Sequence, residues 1–108
     1  MITIDDFKKV DMRVGTIIEA DDNEKAKKHA YKLKVDFGEL GIKNSSAQIT
    51  NVYKKEDLIG KKVIAVVNFP PIKIGDINSE VLVLGVDSPN GVILLSIDDN
   101  AENGKRVY

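Results

Sequence analysis

Apolar and polar residues alternate strictly from Tyr31 through Leu33, Val35 and Phe37, ending at Gly38. A period of two over that length predicts a half-buried strand. Residues 12–18 alternate less cleanly, which predicts a curved strand with Gly15 at a bend. Residues 42–50 form a polar, serine-rich strand candidate. Three continuous apolar runs, 63–69, 81–86 and 92–97, predict strands covered on both faces. A last short strand is expected over 104–108. Helix signals are fewer. Thr3 followed by Asp5 and Asp6 predicts an N-capped turn or two through Val10. Residues 53–60 predict a short helix stopped by Gly60 at the position after its C-cap. Turn residues mark Gly38, Gly41, Pro70-Pro71, Gly75-Asp76, residues 88–91 and Asn103-Gly104. Five or six short strands with a small helix between the third and fourth predict an all-β oligonucleotide/oligosaccharide-binding (OB) barrel of five strands with short terminal extensions. An SH3-like barrel is the competitor, but it has no place for the helix.

Composition narrows the function class. The 108 residues predict one domain spanning 1–108, and 43% hydrophobic with 31% charged residues excludes intrinsic disorder. The longest apolar run, Val63 to Val67, is five residues, far below a membrane span of about 20. No membrane insertion is expected, and the acidic N-terminus, unlike a signal peptide, predicts a cytoplasmic protein. There is no cysteine and one histidine, His29, so thiolate chemistry, a zinc ribbon and a multi-histidine metal site are excluded within one chain. His29 lies in a lysine-rich stretch, a poor setting for a Ser-His-Asp triad. No Gly-rich phosphate loop followed by Lys-Ser/Thr is present, so neither ATP nor any other cofactor is implied. A non-enzymatic binding module is the expectation.

The net charge of −1 conceals a strong asymmetry. Residues 1–24 hold seven acids and three bases, and residues 73–108 hold six and three. Between them Lys25, Lys27, Lys28, Lys32 and Lys34 form a basic segment, followed by Lys54, Lys55, Lys61 and Lys62. This can be a phosphate-binding patch or a solvated face.

Residues 11–17 (Asp-Met-Arg-Val-Gly-Thr-Ile) and 34–38 (Lys-Val-Asp-Phe-Gly) resemble the first two strands of the tRNA-binding domain family, and residues 58–68 resemble its helix, glycine and fourth strand. That domain occurs free-standing and at the C-terminus of some methionyl-tRNA synthetases. Residues 42–50 with Tyr53, 63–71 and 79–85 are most similar to its CsaA-type export-chaperone branch. The resemblance implies a homodimer that binds unfolded or precursor polypeptides in apolar surface pockets and assists their export.

Departures from the tRNA-reading pattern point the same way. Where tRNA readers carry Glu-Ser-Gln-Gly-Met, this chain has Asn78, Ser79, Glu80, Val81 and Leu82. Glu80 puts a negative charge where phosphate would approach. The Asn68-Phe69-Pro70-Pro71 loop adds apolar surface. The lysine-rich loop before Tyr31 is one residue longer than in the synthetase type.

On the polypeptide reading, Phe69, Ile72, Ile74 and Leu82 take apolar side chains of a client, and Ser45, Gln48 and Asn68 bond its backbone. The apolar stretch 69–74 must be covered by the domain, a twin subunit or a ligand. Asn68 is either a pocket-mouth donor and acceptor or an Asx turn. Ser45, Ser46 and Gln48 line a groove or keep an edge strand polar. The alternative partner is tRNA, held by Lys25, Lys27, Lys28, Asn68, Lys73 and Ser79. Tyr31 shares a strand face with Leu33 and Val35, which places it in the core and away from base stacking. Apolar residues in 2–7 and 107–108 exceed what a barrel needs and predict a dimer interface.

Overall fold

A computed structural model describes residues 1–108. Five strands form an antiparallel sheet in the order β3 (Ile42–Ala47), β2 (Tyr31–Asp36), β1 (Met12–Asp22), β4 (Lys62–Val66) and β7 (Leu82–Val83). The outer two meet to make a nearly closed barrel. There the Glu80 N–H donates to the Asn44 carbonyl (2.8 Å), the Asn44 N–H donates to Glu80 Oε1 (3.1 Å), and Ser45 Oγ donates to the Val81 carbonyl (2.9 Å). The expected all-β OB barrel is present, with helix α2 (Lys55–Leu58) between β3 and β4. Two hairpins are added, β5 (Ile72–Ile74) with β6 (Ile77–Ser79) and β8 (Gly85–Ser88) with β9 (Gly91–Leu94).

Each element follows from a local cause. β2 points Tyr31, Leu33 and Val35 inward, as its alternation requires, and all three are buried with Phe37 beyond its end. The Tyr31 hydroxyl donates to the Tyr53 carbonyl (2.8 Å), so the ring's one polar atom is satisfied inside the core. In β1 the register slips at Ile18, between the Ile17–Val35 and Glu19–Lys34 pairs. That bulge turns Ile18 outward and bends the long strand so that it can pair with β4 in its first half and β2 in its second. The α2 helix exists to bring in Leu58, its single buried residue, beneath the core. Gly60 then reverses the chain at φ 87°, a left-handed conformation that other residues resist.

Several boundaries differ from expectation. β3 stops at Ala47, because its partner β2 begins at Tyr31 and leaves residues 48–50 nothing to pair with. The N-terminal helix α1 (Ile4–Lys8) has the expected Thr3 cap, a reciprocal capping box with Asp6, but ends before Val10. Only β4 is covered on both faces. Val63 and Ala65 join the main core, whereas Ile64 and Val66 pair with Val14 and Met12 on the opposite face. The runs over 81–86 and 92–97 are instead split between β7 and the β8–β9 hairpin, and Leu82, Val86, Ile93, Leu95 and Ile97 stay exposed. The C-terminal segment forms a bridge from Arg106 to Arg13 in place of the expected strand, with backbone bonds between Val14 and residues 104–105 and from Val107 to Met12.

A charge cluster fastens both terminal segments. Arg13 donates two hydrogen bonds to the Asp11 carboxylate (Nε 2.6 Å, Nη2 3.2 Å) and a third to the Gly104 carbonyl (3.0 Å). Arg106 lies 3.7 Å from the same carboxylate and donates to the Lys8 carbonyl (2.8 Å). The hydrogen bonds from Arg13 hold Asp11 below its ordinary 3.8, against partial burial and with help from the Arg13 and Arg106 charges. The same pairing raises the Arg13 guanidinium's affinity for its proton. Because the folded carboxyl titrates below the unfolded one, this stabilisation is complete above the ordinary carboxylate range and is lost as pH falls through the folded value. Asp11→Asn is therefore expected to lower the thermal midpoint at neutral pH and to bring the variant and native midpoints together only as acid protonates the folded carboxylate, below the ordinary carboxylate range. Parallel melting curves across that range would remove Asp11 from the acid response.

Candidate binding groove

The β5–β6 hairpin leans over β3 and the start of β7 and encloses a recess of about 340 Å³ lined by Ser46, Phe69, Pro70, Ile72, Ile74, Ser79, Glu80, Val81 and Leu82. Its floor is polar only at Ser46, Ser79 and Glu80. The Ser46 N–H donates to Ser79 Oγ (3.2 Å), and Glu80 is turned onto the Asn44 N–H. The rim is apolar and open: Phe69 is 51% exposed, Ile72 62% and Leu82 50%. Folding alone leaves these three side chains in water. A continuous apolar lining of this kind suits extended chain or another apolar ligand.

A second recess of about 590 Å³ opens on the other side of the hairpin. Its lining includes Lys25, Lys27, Lys28, Ser46, Gln48, Lys73 and Ile74, and no acid. Ser46 and Ile74 belong to both recesses, so the two are halves of one groove. None of the four lysines forms an ion pair within the chain, whereas Lys32, Lys34 and Lys55 are committed to Asp76 (3.7 Å), Glu19 (3.4 Å) and Asp22 (2.9 Å). The hydrogen bond that Lys55 donates to the Asp22 carboxylate, then that carboxylate's charge, raises the proton affinity of Lys55. No cluster of three or more His, Cys, Asp or Glu side chains is placed to hold a metal ion.

Most of the candidate residues converge here, in a different division of roles. Phe69, Ile72, Ile74 and Leu82 line the apolar half, where Ser79 joins them. Lys25, Lys27, Lys28, Lys73 and Gln48 line the basic half. Two do not reach it. Ser45 is 1% exposed, faces the core opposite Leu33, and spends its hydroxyl on Val81, so its neighbour Ser46 is the serine in the groove. The Asn68 amide donates to the Lys9 carbonyl (2.7 Å) and accepts from the Asp11 N–H (3.0 Å). It is a clamp on the N-terminal segment, a longer reach than an Asx turn.

Asn23 was not a sequence candidate, yet it organises the groove. It is 3% exposed at the root of the lysine loop, where its N–H donates to the Ala30 carbonyl (3.0 Å). Its amide donates to Ser46 Oγ (3.1 Å) and to the Ile74 carbonyl (3.0 Å), the two residues shared by both halves. One buried side chain thus ties the lysine loop, β3 and the hairpin together. The only sequence signal is an asparagine at the end of a strand, which is common in any turn.

Comparison with known proteins agrees with this architecture. Residues 12–106 match the putative tRNA binding domain family. The chain is 39% identical over 106 residues to a methionine–tRNA ligase of Methanocella arvoryzae, covering 98% of itself and 15% of the ligase. It thus spans about one-sixth of the length of the curated relatives it matches. Crystal structures that match from end to end include two chaperones. The CsaA chaperone protein of Picrophilus torridus is 57% identical, with a TM-score of 0.95 and 100% of both chains covered. The chaperone CsaA of Bacillus anthracis is 46% identical, with a TM-score of 0.92, covering 100% of this chain and 99% of that one. The chain belongs to the tRNA-binding domain family, as an OB-fold domain of CsaA type.

Proposed function

We propose that this chain is a non-enzymatic, homodimeric polypeptide-binding protein of the chaperone type, acting in the cytoplasm on unfolded or precursor chains bound for export. The observation that carries the reading is the apolar half of the groove, where Phe69, Ile72 and Leu82 stand half exposed around a preformed recess. Exposed apolar surface is retained at a cost in water unless a partner covers it. An extended segment would place apolar side chains there and meet Ser46 and Gln48 with its backbone, without any cofactor. The name shared by the two CsaA structures supports the same reading. The dimer is supported by further exposed apolar residues, Val86 and Ile93, which are register partners on the β8–β9 hairpin, and Ile2 and Ile4 of the N-terminal segment. No helix is long and apolar enough to cross a membrane.

A second reading, structure-specific tRNA binding, is favoured by the four unpaired lysines of the basic half and by the family match. Fluorescence anisotropy separates the two readings. A labelled, permanently unfolded polypeptide is expected to bind saturably at both ~50 and ~200 mM salt, because apolar contacts are not screened, while labelled tRNA loses its affinity across that range. Saturable tRNA binding at ~50 mM salt without polypeptide binding would reverse the assignment. Sedimentation of the same samples is expected at twice the 11.9 kDa chain mass.

A further inference from the structure

The two halves of the groove are too closely joined to serve separate ligands. Ser46 and Ile74 form the wall between them, and Asn23 fixes that wall by donating to both. Asn23 is held in turn. Its Oδ1 has no partner and lies so close to Gly75 that a Cβ there would overlap it. Gly75, at φ 64°, therefore lets the hairpin turn close onto Asn23. The lysine loop and the hairpin consequently keep a set spacing, with cations on one side of the wall and apolar rim residues on the other.

The charges along the groove are asymmetric. Lys25, Lys27, Lys28 and Lys73 surround the basic half with no acid among the lining residues. The nearest acid of the hairpin turn, Asp76, is already paired with Lys32 at 3.7 Å. At the far end, Glu80 lines the apolar half. A ligand crossing the wall passes from an apolar surface into a recess lined by four lysines and no acid, the acids Asp22 and Glu24 lining the adjoining recess beside Lys27 and Lys28.

We propose that the groove selects polypeptide segments in which a short apolar stretch is directly followed, on one side, by acidic residues, and discriminates against segments flanked by lysine or arginine. This rests on the polypeptide reading above and adds the sequence class it would take. The apolar residues sit against Phe69, Ile72 and Leu82, and the carboxylates meet the lysines across the Ser46–Ile74 wall. Affinity comes mainly from the apolar half. The lysines supply discrimination, since like charges brought together repel and opposite charges speed and favour encounter. Phosphate also fits the basic half, but a nucleic acid has no flexible aliphatic side chain to enter the recess of the apolar half.

The test compares three labelled peptides with the same leucine-isoleucine centre and glutamate, glutamine or lysine flanks, titrated with the full chain. At ~50 mM salt the glutamate peptide is expected to bind roughly five- to tenfold more tightly than the glutamine peptide, with the lysine peptide weakest. Lys27→Glu/Lys28→Glu, two exposed positions, is expected to abolish or invert that order. Equal binding of glutamate and glutamine peptides overturns the proposal and leaves the polypeptide reading standing. So does a preference that survives the charge reversal while tRNA binding is lost, since the lysines then serve nucleic acid alone. Failure of all three peptides to bind overturns the polypeptide reading itself.

Discussion

The double variant Ile72→Ser/Leu82→Ser is expected to weaken binding of an unfolded polypeptide roughly 10- to 150-fold, with the melting temperature nearly unchanged. Full burial of an isoleucine or leucine side chain is worth about 1.5–3 kcal/mol. These two are 62% and 50% exposed in the free chain, so about half of that value is still to be gained when a ligand covers them. The pair then contributes about 1.5–3 kcal/mol to binding, at about 1.4 kcal/mol per factor of ten. The same exposure explains why folding is spared, since neither side chain belongs to the core cluster. Ile72 lies on a three-residue strand of the hairpin and Leu82 on β7, so the two approach the recess from separate elements. Losses from both single variants would therefore locate the client between those elements. Unchanged affinity in the double variant, with a native melting curve, would place the client elsewhere.

The residues of this site were legible to unequal degrees, and the reasons are physical. The β2 strand was plain, because one buried face imposes a period of two over six residues. The helix at 55–58 and its glycine were marked by a conformational need that few residues meet. The β5 and β6 strands are three residues each, too short to display a period, so their sequence announced a loop with apolar residues and a Gly75-Asp76 turn but no hairpin. Ser45 and Ser46 illustrate a sharper limit. Adjacent strand residues point to opposite faces, and only the pairing of Ser45 with Leu33 decides which serine reaches the groove. Apolar runs, likewise, declare that something must cover them without declaring what. The run at 63–66 is covered by the chain's own sheet and core, while Leu82, Val86 and Ile93 are left exposed. Asn68 and Asn23 act over long sequence separations, and no local pattern encodes such contacts.

Gly15→Ala is expected to destabilise the fold by about 1–3 kcal/mol, the usual range for forcing one extra carbon into a packed core. The sequence suggested a bend at Gly15, but its φ is not in the left-handed region, and the reason for glycine is space. A Cβ at this position would lie 2.5 Å from Val35 Cγ1 and 2.8 and 2.9 Å from two ring carbons of Phe37. Both neighbours are fully buried, Val35 is β-branched, and neither can swing into solvent to relieve the contact. Gly15 pairs with Val63 on β4, next to the Thr16–Lys62 pair at which β1 passes from β4 to β2, so any shift would be felt by both ladders. For a domain of this size the loss corresponds to a fall in melting temperature of about 5–20 °C. A double-mutant cycle identifies the cause. Val35→Ala alone costs stability by leaving a cavity, but in the Gly15→Ala background it removes the nearest clash, so the pair is expected to cost less than the sum of the singles. Additive losses would mean that the glycine serves the backbone and not the packing of Val35.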